Sequence, residues 1–238
     1  PMLAAGQAAD PDAPSFDWRK LNKVTPVRDQ DSCGSCWCFT AVETFESSYL
    51  LLKGGNPTAL DASEQYILNC GNTGGCDGDW YVTAWKFMER VGTATEKDAP
   101  YKAVVGPCKK KVKTPYKVLD FGLVSTSDPI PSRDMIKEAL CKYGPLAIAV
   151  DADEPFVAYK GGVFTGFPSE PANPDAAINH AITLIGWDDD KGAWLIKNSW
   201  GSDWGSTGDY GSEKGYMWID YDSNNVGFAA AWVKARRR

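Results

Sequence analysis

The stretch from Arg28 to Thr40 reads Arg-Asp-Gln-Asp-Ser-Cys-Gly-Ser-Cys-Trp-Cys-Phe-Thr and joins a Gly-Ser turn, a cysteine and the start of a helix. The apolar residues that follow recur every three or four positions, which predicts an amphipathic helix ending at Gly54-Gly55. They are Cys38, Val42, Phe45, Tyr49 and Leu52. Ser35 is the expected N-cap, so Cys36 falls in the first turn. Free N–H groups and the helix dipole favour a thiolate there, which makes Cys36 the candidate nucleophile.

A cysteine nucleophile needs a proton partner, and the chain contains a single histidine, His180. The residues from 178 to 187 predict a buried strand with His180 near its beginning. A second predicted strand, Ala193 to Lys197, runs directly into Asn198-Ser199-Trp200-Gly201. A cysteine and a histidine in one chain can act together as a nucleophile and its proton partner.

In these motifs and their order the chain resembles papain-family cysteine peptidases, and within them the cathepsin L group. The resemblance runs from about residue 15 to about residue 233. Its landmarks are Phe16-Asp17-Trp18-Arg19, Val24-Thr25-Pro26-Val27, Cys33-Gly34-Ser35-Cys36-Trp37, the stretch from Cys70 to Gly78, the His180 strand, Asn198-Ser199-Trp200-Gly201 and Gly215-Tyr216. It implies an α+β class and a papain-like two-lobe fold. A helical lobe and a strand-rich, barrel-like lobe would flank a cleft that holds the active site.

This resemblance, with the order of helical and strand signals, divides the chain into three parts. Residues 1–15 are predicted as an extended N-terminal lead-in and not as a signal peptide, because a basic start and an apolar run are both missing. The resemblance, which implies an inhibitory propeptide, allows the segment to be a propeptide remnant. Residues 16–120 are predicted as the mainly helical lobe that carries the nucleophile, and residues 121–238 as the strand-rich lobe that carries His180 and Asn198. Further helices are predicted after Ser63, from Trp80 to Val91 and from Ser132 to Tyr143, and further strands from Leu146 to Val150 and from Tyr216 to Tyr221.

The resemblance also implies a role for each catalytic residue. Cys36 would attack the scissile carbonyl to form a thioester, with His180 as its ion-pair partner and then as general acid. Asn198 would hold the other imidazole nitrogen, and Trp200 would shield that hydrogen bond from water. Gln30 would donate its side-chain N–H to the developing oxyanion beside the backbone N–H of Cys36.

Substrate contacts are expected on a wall of the cleft and in one pocket. By resemblance the wall includes Gly78 and Asp79, where the family usually has glycine at the second position, so the Asp79 side chain would narrow the cleft or repel acidic substrates. The pocket for the residue two before the scissile bond would be aromatic at its mouth and small and apolar beneath. Its implied lining is Trp80, Tyr81, Ala149, Ala181 and Ala231. This predicts a preference for bulky apolar or aromatic residues over arginine.

The chain has seven cysteines, and six remain when the candidate nucleophile Cys36 is set aside. If all six formed disulfides, they could pair in fifteen ways. The resemblance pairs Cys33 with Cys76 and Cys70 with Cys108. Cys38 shares the apolar stripe of its helix and is predicted as a buried thiol, whereas a bond between Cys38 and Cys141 stays a minor alternative. Histidine or clustered thiols at ligand spacing are missing, so we expect no metal and no cofactor.

Bulk properties limit the partners. A net charge of −6 argues against nucleic acid, and no segment approaches the roughly 20 apolar residues of a membrane span. Disulfides indicate an extracytoplasmic location, whether secreted, lysosomal, vacuolar or periplasmic. The expected partners are peptide or protein substrates, an inhibitory propeptide and protein inhibitors, and we expect a monomer.

The predicted activity is that of a thiol endopeptidase made as a zymogen. Relatives that trim dipeptides from the C-terminus use paired histidines, and the single histidine of this chain excludes that device. Two segments longer than the family norm, 166–177 and 206–214, are predicted as surface loops. The alternatives are a transpeptidase-type acyl transferase, which uses the same thioester, and a non-catalytic peptide-binding homologue.

Overall fold

The computed structural model describes residues 9–170, 177–205 and 214–236 of the 238-residue chain. Its helices are α1 (Cys36–Lys53), α2 (Glu64–Cys70), α3 (Tyr81–Arg90), α4 (Arg133–Tyr143) and α5 (Glu154–Val157). Its strands are β1 (Ser15–Asp17), β2 (Val118–Leu123), β3 (Leu146–Val150), β4 (Val163–Phe164), β5 (His180–Asp188), β6 (Ala193–Lys197), β7 (Tyr216–Asp220) and β8 (Phe228–Ala235). Two short 3-10 turns lie at Trp18–Leu21 and Pro57–Ala59. The class is α+β, as predicted.

The strands form one sheet in the order β2-β8-β3-β5-β6-β7-β4. Neighbouring strands run antiparallel, except that β4 lies parallel to β7. One edge of β5 is shared, because β3 pairs with residues 180–184 and β1 pairs with residues 186–188. The register sets His180 opposite Val150, at the end of the paired region, where its side chain can face the other lobe.

The described core divides into two apolar clusters, which correspond to two lobes. One cluster is built around α1, α2 and α3, and includes Phe45, Ile67 and Trp85. The other lies between α4 and the sheet, and includes Ile148 and Leu184. Burying these faces away from water is the dominant favourable term in the folding of such lobes.

Helix α1 is not the amphipathic helix that its apolar spacing predicts. Thirteen of its eighteen residues are buried, among them the charged Glu43 and Glu46. The helix packs on α2 and α3 on one side and on β5 and β8 on the other. Elements of both lobes cover α1, so its polar residues do not indicate a solvent-exposed surface. The exposed polar face expected of an amphipathic helix is missing from α1.

One buried charge on α1, Glu43, has its partners in the other lobe. Glu43 lies 3.0 Å from the ammonium of Lys197 on β6, and it accepts a 2.9 Å hydrogen bond from the hydroxyl of Thr183 on β5. Thr183 and Lys197 are themselves paired across these strands. Since Cys36 begins α1, His180 begins β5 and Asn198 follows β6, this polar contact joins the three elements that carry the site.

A few segments pack on the other side of the predicted boundary between the lobes. Residues 15–17 form β1 on the sheet, and Trp18 is fully buried in the strand-rich lobe, although both fall near the start of the range predicted as helical. In the opposite sense, Val233 and Ala235, from the range predicted as strand-rich, pack into the cluster of the helical lobe. Strand pairing satisfies the backbone groups of both segments within the sheet.

The two disulfides implied by the resemblance are present, Cys33 to Cys76 and Cys70 to Cys108. Cys38 and Cys141 are both free and buried, and they lie in different apolar clusters, so the alternative bond between them is absent. Residues 171–176 and 206–213, which hold most of the two segments predicted as long loops, lie outside the described residues, as do residues 1–8 of the lead-in. Within the described ranges, no helix is long and apolar enough to cross a membrane.

Candidate active site

Cys36 is the first residue of α1 and the only one of the three free cysteines that is not buried. Ser35 occupies the N-cap position, but its hydroxyl does not cap the helix, contrary to the sequence-based expectation. It instead shares a 2.7 Å hydrogen bond with the hydroxyl of Tyr101. The N–H groups of Cys36 and Trp37 therefore stay directed at the thiol, where they favour its anionic form.

Burial and hydrogen bonds shift the pKa of the Cys36 thiol in opposite directions. Desolvation raises the pKa of the Cys36 thiol, and the N–H groups of Ala181, Trp37 and Cys36 itself lower it. Ala181 follows His180 on β5, so one of these donors comes from the opposite lobe. These donors come from both walls of the cleft, but burial is the larger effect and the pKa of the Cys36 thiol stays raised, so a thiolate here needs a nearby positive charge.

His180 is 6% exposed at the start of β5, and its ring is fixed on two sides. Its Nε2 lies 2.8 Å from the Oδ1 atom of Asn198, which is an acceptor, so Nε2 carries the proton of the neutral ring and Nδ1 is the unprotonated nitrogen. The indole of Trp200 stacks on the imidazole, with ring centroids 4.5 Å apart. Burial lowers the pKa of His180 to about 4, and the bond to Asn198 opposes that shift. An imidazolium here consequently depends on a nearby negative charge.

Gln30 is held rigidly beside the start of α1. Its Nε2 donates to the carbonyl of Cys33 at 3.0 Å, and its Oε1 accepts from the hydroxyl of Ser199 at 2.7 Å. An amide nitrogen has two hydrogens, so one N–H remains for a ligand. The backbone carbonyl of Gln30 accepts a 2.8 Å bond from the Tyr101 hydroxyl, which is the group that also holds Ser35.

The wall formed by residues 74–79 is shaped by glycines and by Asp79. A side chain on Gly74 would meet the carbonyl oxygen of Gly78, and Gly78 itself has a φ of +96°, which favours glycine. The Asp79 carboxylate accepts bonds from the N–H of Gly74 at 2.8 Å, the N–H of Trp80 at 2.7 Å and the hydroxyl of Thr83 at 2.9 Å. Its side chain therefore folds back on the wall and does not project across the cleft to narrow it.

A cavity of about 340 Å³ brings most of the predicted site residues together between the lobes. Its lining comprises Cys36, Gly78, Asp79, Trp80, Tyr81, Ala149, Ile178, Asn179, His180 and Ala181. Trp80 is 43% exposed at the rim, and the hydroxyl of Tyr81 is bonded to the carbonyl of Ala229. Ala231 is placed elsewhere: it has no exposed surface and lies in the core of the helical lobe. The β8 residue that the structure brings to this region is Phe228, 6.0 Å from the ring of Trp80.

Several supporting residues were not foreseen from the sequence. Ser199 holds Gln30 from 169 positions away, and Tyr101 holds it from 71 positions away. Phe156 packs edge-on against both His180 and Trp200. No spacing signal could have found these contacts, because they join residues that are distant in the sequence and meet only in the folded chain. Among the described residues, no three His, Cys, Asp or Glu side chains converge as a metal site would require.

Comparison with known proteins identifies the family. The family model described as papain family cysteine protease matches residues 13–235. Cysteine proteinase 1 of Entamoeba histolytica is 33% identical over 90% of this chain, and the cathepsin L-like proteinase of Fasciola hepatica is 31% identical over 93% of it. The chain spans 66% and 64% of the lengths of these two relatives.

Solved structures of similar proteins have the same fold. The bromelain protease from Ananas comosus, in complex with the E64 inhibitor, superposes with a TM-score of 0.79 at 32% identity over 93% of this chain and 99% of its own. Digestive procathepsin L2 proteinase from Tenebrio molitor larval midgut has a TM-score of 0.80 at 29% identity, over 96% of this chain and 70% of its own. The papain-like two-lobe fold predicted from the sequence is thereby confirmed. The chain belongs to the papain family of cysteine proteases.

Proposed function

We propose that the chain is a cysteine endopeptidase that hydrolyses peptide bonds through a thioester on Cys36. One observation carries the proposal. Cys36 and His180, on opposite lobes, line a single cavity, and Asn198 holds the imidazole nitrogen that is not needed for the nucleophile. Family membership and relatives named as cysteine proteinases support it further.

In the first half of the reaction the thiolate of Cys36 attacks the scissile carbonyl carbon. The carbonyl oxygen becomes an oxyanion, for which the free N–H of Gln30 and the backbone N–H of Cys36 are the donors. The C–N bond then breaks as His180 gives its proton to the leaving amine, which leaves a thioester and a neutral imidazole. The thiolate and imidazolium compensate each other's charge, which offsets the burial that disfavours each of them alone.

In the second half water attacks the thioester carbonyl, and His180 removes the proton of that water. The same donors hold the second oxyanion, the C–S bond breaks, and the thiolate and imidazolium are regenerated. Asn198 and Trp200 keep the ring in one orientation through both halves, because the imidazole must face the nucleophile and the leaving group in turn.

The specificity we propose is for an apolar or aromatic residue two before the scissile bond. The support is the lining of the cavity, where Trp80 and Tyr81 meet Ala149 and Ala181. The one carboxylate in the described lining, Asp79, is already engaged in three hydrogen bonds on the wall, which leaves it poorly placed to pair with an arginine side chain. Cleavage of peptide libraries tests this proposal, and arginine ranking above leucine and phenylalanine would contradict it.

Labelling and turnover separate the proposed activity from its alternatives. An epoxide-type thiol inhibitor such as E64, the inhibitor bound to the related bromelain protease, should label Cys36 in the wild type and fail to label Cys36→Ala. A fluorogenic dipeptide should then be hydrolysed by the wild type alone. Absence of labelling supports a non-catalytic peptide-binding homologue. Labelling without hydrolysis, together with product formation when an amine acceptor is added, supports a transpeptidase-type acyl transferase.

The partners we propose are peptide or protein substrates, an inhibitory propeptide and protein inhibitors, acting on a monomer outside the cytoplasm. The two disulfides support an oxidising compartment. Loss of peptidase activity when a propeptide from a family member is added would support the inhibitory partner. A mass in solution that matches one chain would support the monomer.

A further inference from the structure

A second cavity, of about 290 Å³, lies in the helical lobe away from the catalytic residues. Its walls come from α2 and from the loop that follows residue 98. Most of its lining is apolar or aromatic, with two lysines at the edge, and comprises Gln65, Tyr66, Asn69, Ala99, Pro100, Lys102, Val104, Gly106, Pro107 and Lys109. Its size suits one bulky apolar side chain, and nothing in the proposed peptidase chemistry uses it.

The cavity is held open by a rigid frame. Gln65 donates to the carbonyl of Val104 at 2.8 Å and accepts from the N–H of Lys102 at 2.7 Å. Asn69 accepts from the N–H of Gly106 at 2.7 Å, and the Cys70 to Cys108 disulfide closes the same loop. A preformed pocket loses little conformational entropy when a ligand enters it.

The surface around this cavity has the opposite charge to the rest of the molecule. Residues 101–117 contain six lysines and no acidic residue, in a chain whose net charge is −6. Five of these lysines are exposed: Lys102, Lys109, Lys110, Lys111 and Lys113. In the described part of the chain, none of the five has a carboxylate partner within ion-pair distance. Such a patch attracts anionic partners.

Exposed apolar side chains complete the surface. Val104 and Val105 are 56% and 48% exposed, beside the cavity and next to the lysines. A centre of apolar area with a charged rim is the arrangement found in protein interfaces. Val105 also contacts the back of the substrate wall, since a Cβ on Gly75 would lie 2.7 Å from its methyl group.

We propose that this surface, defined by Lys102 to Lys113 and the cavity beside it, is a docking site for an acidic polypeptide segment. The segment inserts one bulky apolar side chain into the cavity and sets carboxylates against the lysines. The apolar centre selects a polypeptide over a sulfated polysaccharide, because the latter has no apolar side chain to fill the cavity or cover the valines. Binding here does not require a functional nucleophile, so it can be tested apart from the peptidase activity.

The test uses a labelled peptide of alternating glutamate and leucine, followed by fluorescence anisotropy in the Cys36→Ala background so that the probe is not cleaved. The peptide should bind, and the triple variant Lys109→Gln/Lys110→Gln/Lys111→Gln should weaken binding by about tenfold. Val104→Ser should weaken it without any change of charge. The matched control Lys20→Gln/Lys53→Gln/Lys86→Gln removes three exposed lysines elsewhere and should leave binding unchanged.

Four outcomes would overturn the proposal. The first is no binding of the glutamate and leucine peptide at low ionic strength. The second is an equal loss in the triple variant and its control, which would mean that only net charge matters. The third is equal affinity for a peptide with serine in place of leucine, or no effect of Val104→Ser. The fourth is tighter binding of a sulfated polysaccharide at the same lysines, which would assign the patch to an anionic polymer.

Discussion

Replacing Lys197 by methionine removes the cation of the buried pair that joins α1 to β6. Lys197 has no exposed surface and Glu43 is 3% exposed, so the Glu43 carboxylate would be left in the core with only the Thr183 hydroxyl as a donor. Methionine fills a similar volume, which limits the loss of packing. The change therefore isolates the effect of an unpaired buried charge.

The expected loss is large. At the 3.0 Å contact distance, Coulomb's law with an effective dielectric constant of about 20 gives an attraction of about 5 kcal/mol. Removing one partner of a buried pair costs roughly 3–5 kcal/mol, which lowers Tm by roughly 6–20 °C in a chain of this size. Burial nevertheless raises the pKa of Glu43 despite the neighbouring ammonium, so desolvation exceeds the attraction. The double variant Glu43→Leu/Lys197→Met should thus recover most of the lost stability.

Urea unfolding followed by tryptophan fluorescence measures both quantities. Lys214→Met is the matched control, because Lys214 is 47% exposed and lies 3.7 Å from the fully exposed Asp203, so its loss should cost at most about 1 kcal/mol. If Lys197→Met is no less stable than this control, or if the double variant is as unstable as the single one, the reasoning about the buried pair is refuted.

Three further changes have separate expected results. Gln30→Ala should reduce kcat by the equivalent of about 2.7–4 kcal/mol with little effect on the alkylation rate of Cys36, since it removes an oxyanion donor; equal losses in both would contradict that role. Asn198→Ala should leave a weaker but measurable peptidase, and complete inactivity of a folded variant would show that Asn198 does more than orient His180. Burial raises the pKa of Glu46 to about 7, so its contribution to stability is present below pH about 4.5 and is lost as the pH rises through 7. Glutamine cannot ionise, so between pH 5 and 8 the variant Glu46→Gln should lose roughly 3 kcal/mol less unfolding free energy than the wild type in urea titrations. Parallel pH profiles of the two proteins would refute the raised pKa of Glu46.

Local sequence signals predicted the helices and strands in which neighbouring residues all favour the same secondary structure. Ser132 caps α4 and Gly144 ends it, in agreement with the expected helix, and Leu146–Val150 is a strand in which every residue is buried. The alanine-rich stretch Phe228–Ala235 was not predicted as a strand, because alanine favours helices locally. Pairing with β2 on one side and β3 on the other overrides that preference.

The site likewise contains residues that the sequence predicted and supporting contacts that only the structure shows. Cys36, His180, Asn198 and Gln30 were singled out from sequence and resemblance because their types and order carry chemistry. Their support comes from contacts made only in the folded chain, within one lobe for His180 and Asn198 and across the lobes for Gln30 and Ser199. The hydroxyl of Ser35 illustrates the limit: the cap rule applies to an isolated helix end, and Tyr101, 66 positions away, competes for the same group. The placement of Ala231 in the core similarly depends on how β8 pairs, which the residue type does not encode.

The rate of Cys36 alkylation as a function of pH tests the proposed dyad most directly. Cys38 and Cys141 are buried, so the reaction reports on Cys36 in the folded protein. The wild type should react well below the pH at which an ordinary thiol ionises, with two apparent pKa values that belong to the coupled Cys36 and His180 pair. In His180→Ala, checked for folding by its melting curve, that acidic reactivity should vanish, because burial then raises the pKa of the Cys36 thiol without a cation to oppose it. If both proteins titrate alike, as an ordinary thiol near pH ~8.5, the thiolate and imidazolium pair does not exist and the proposed mechanism is wrong.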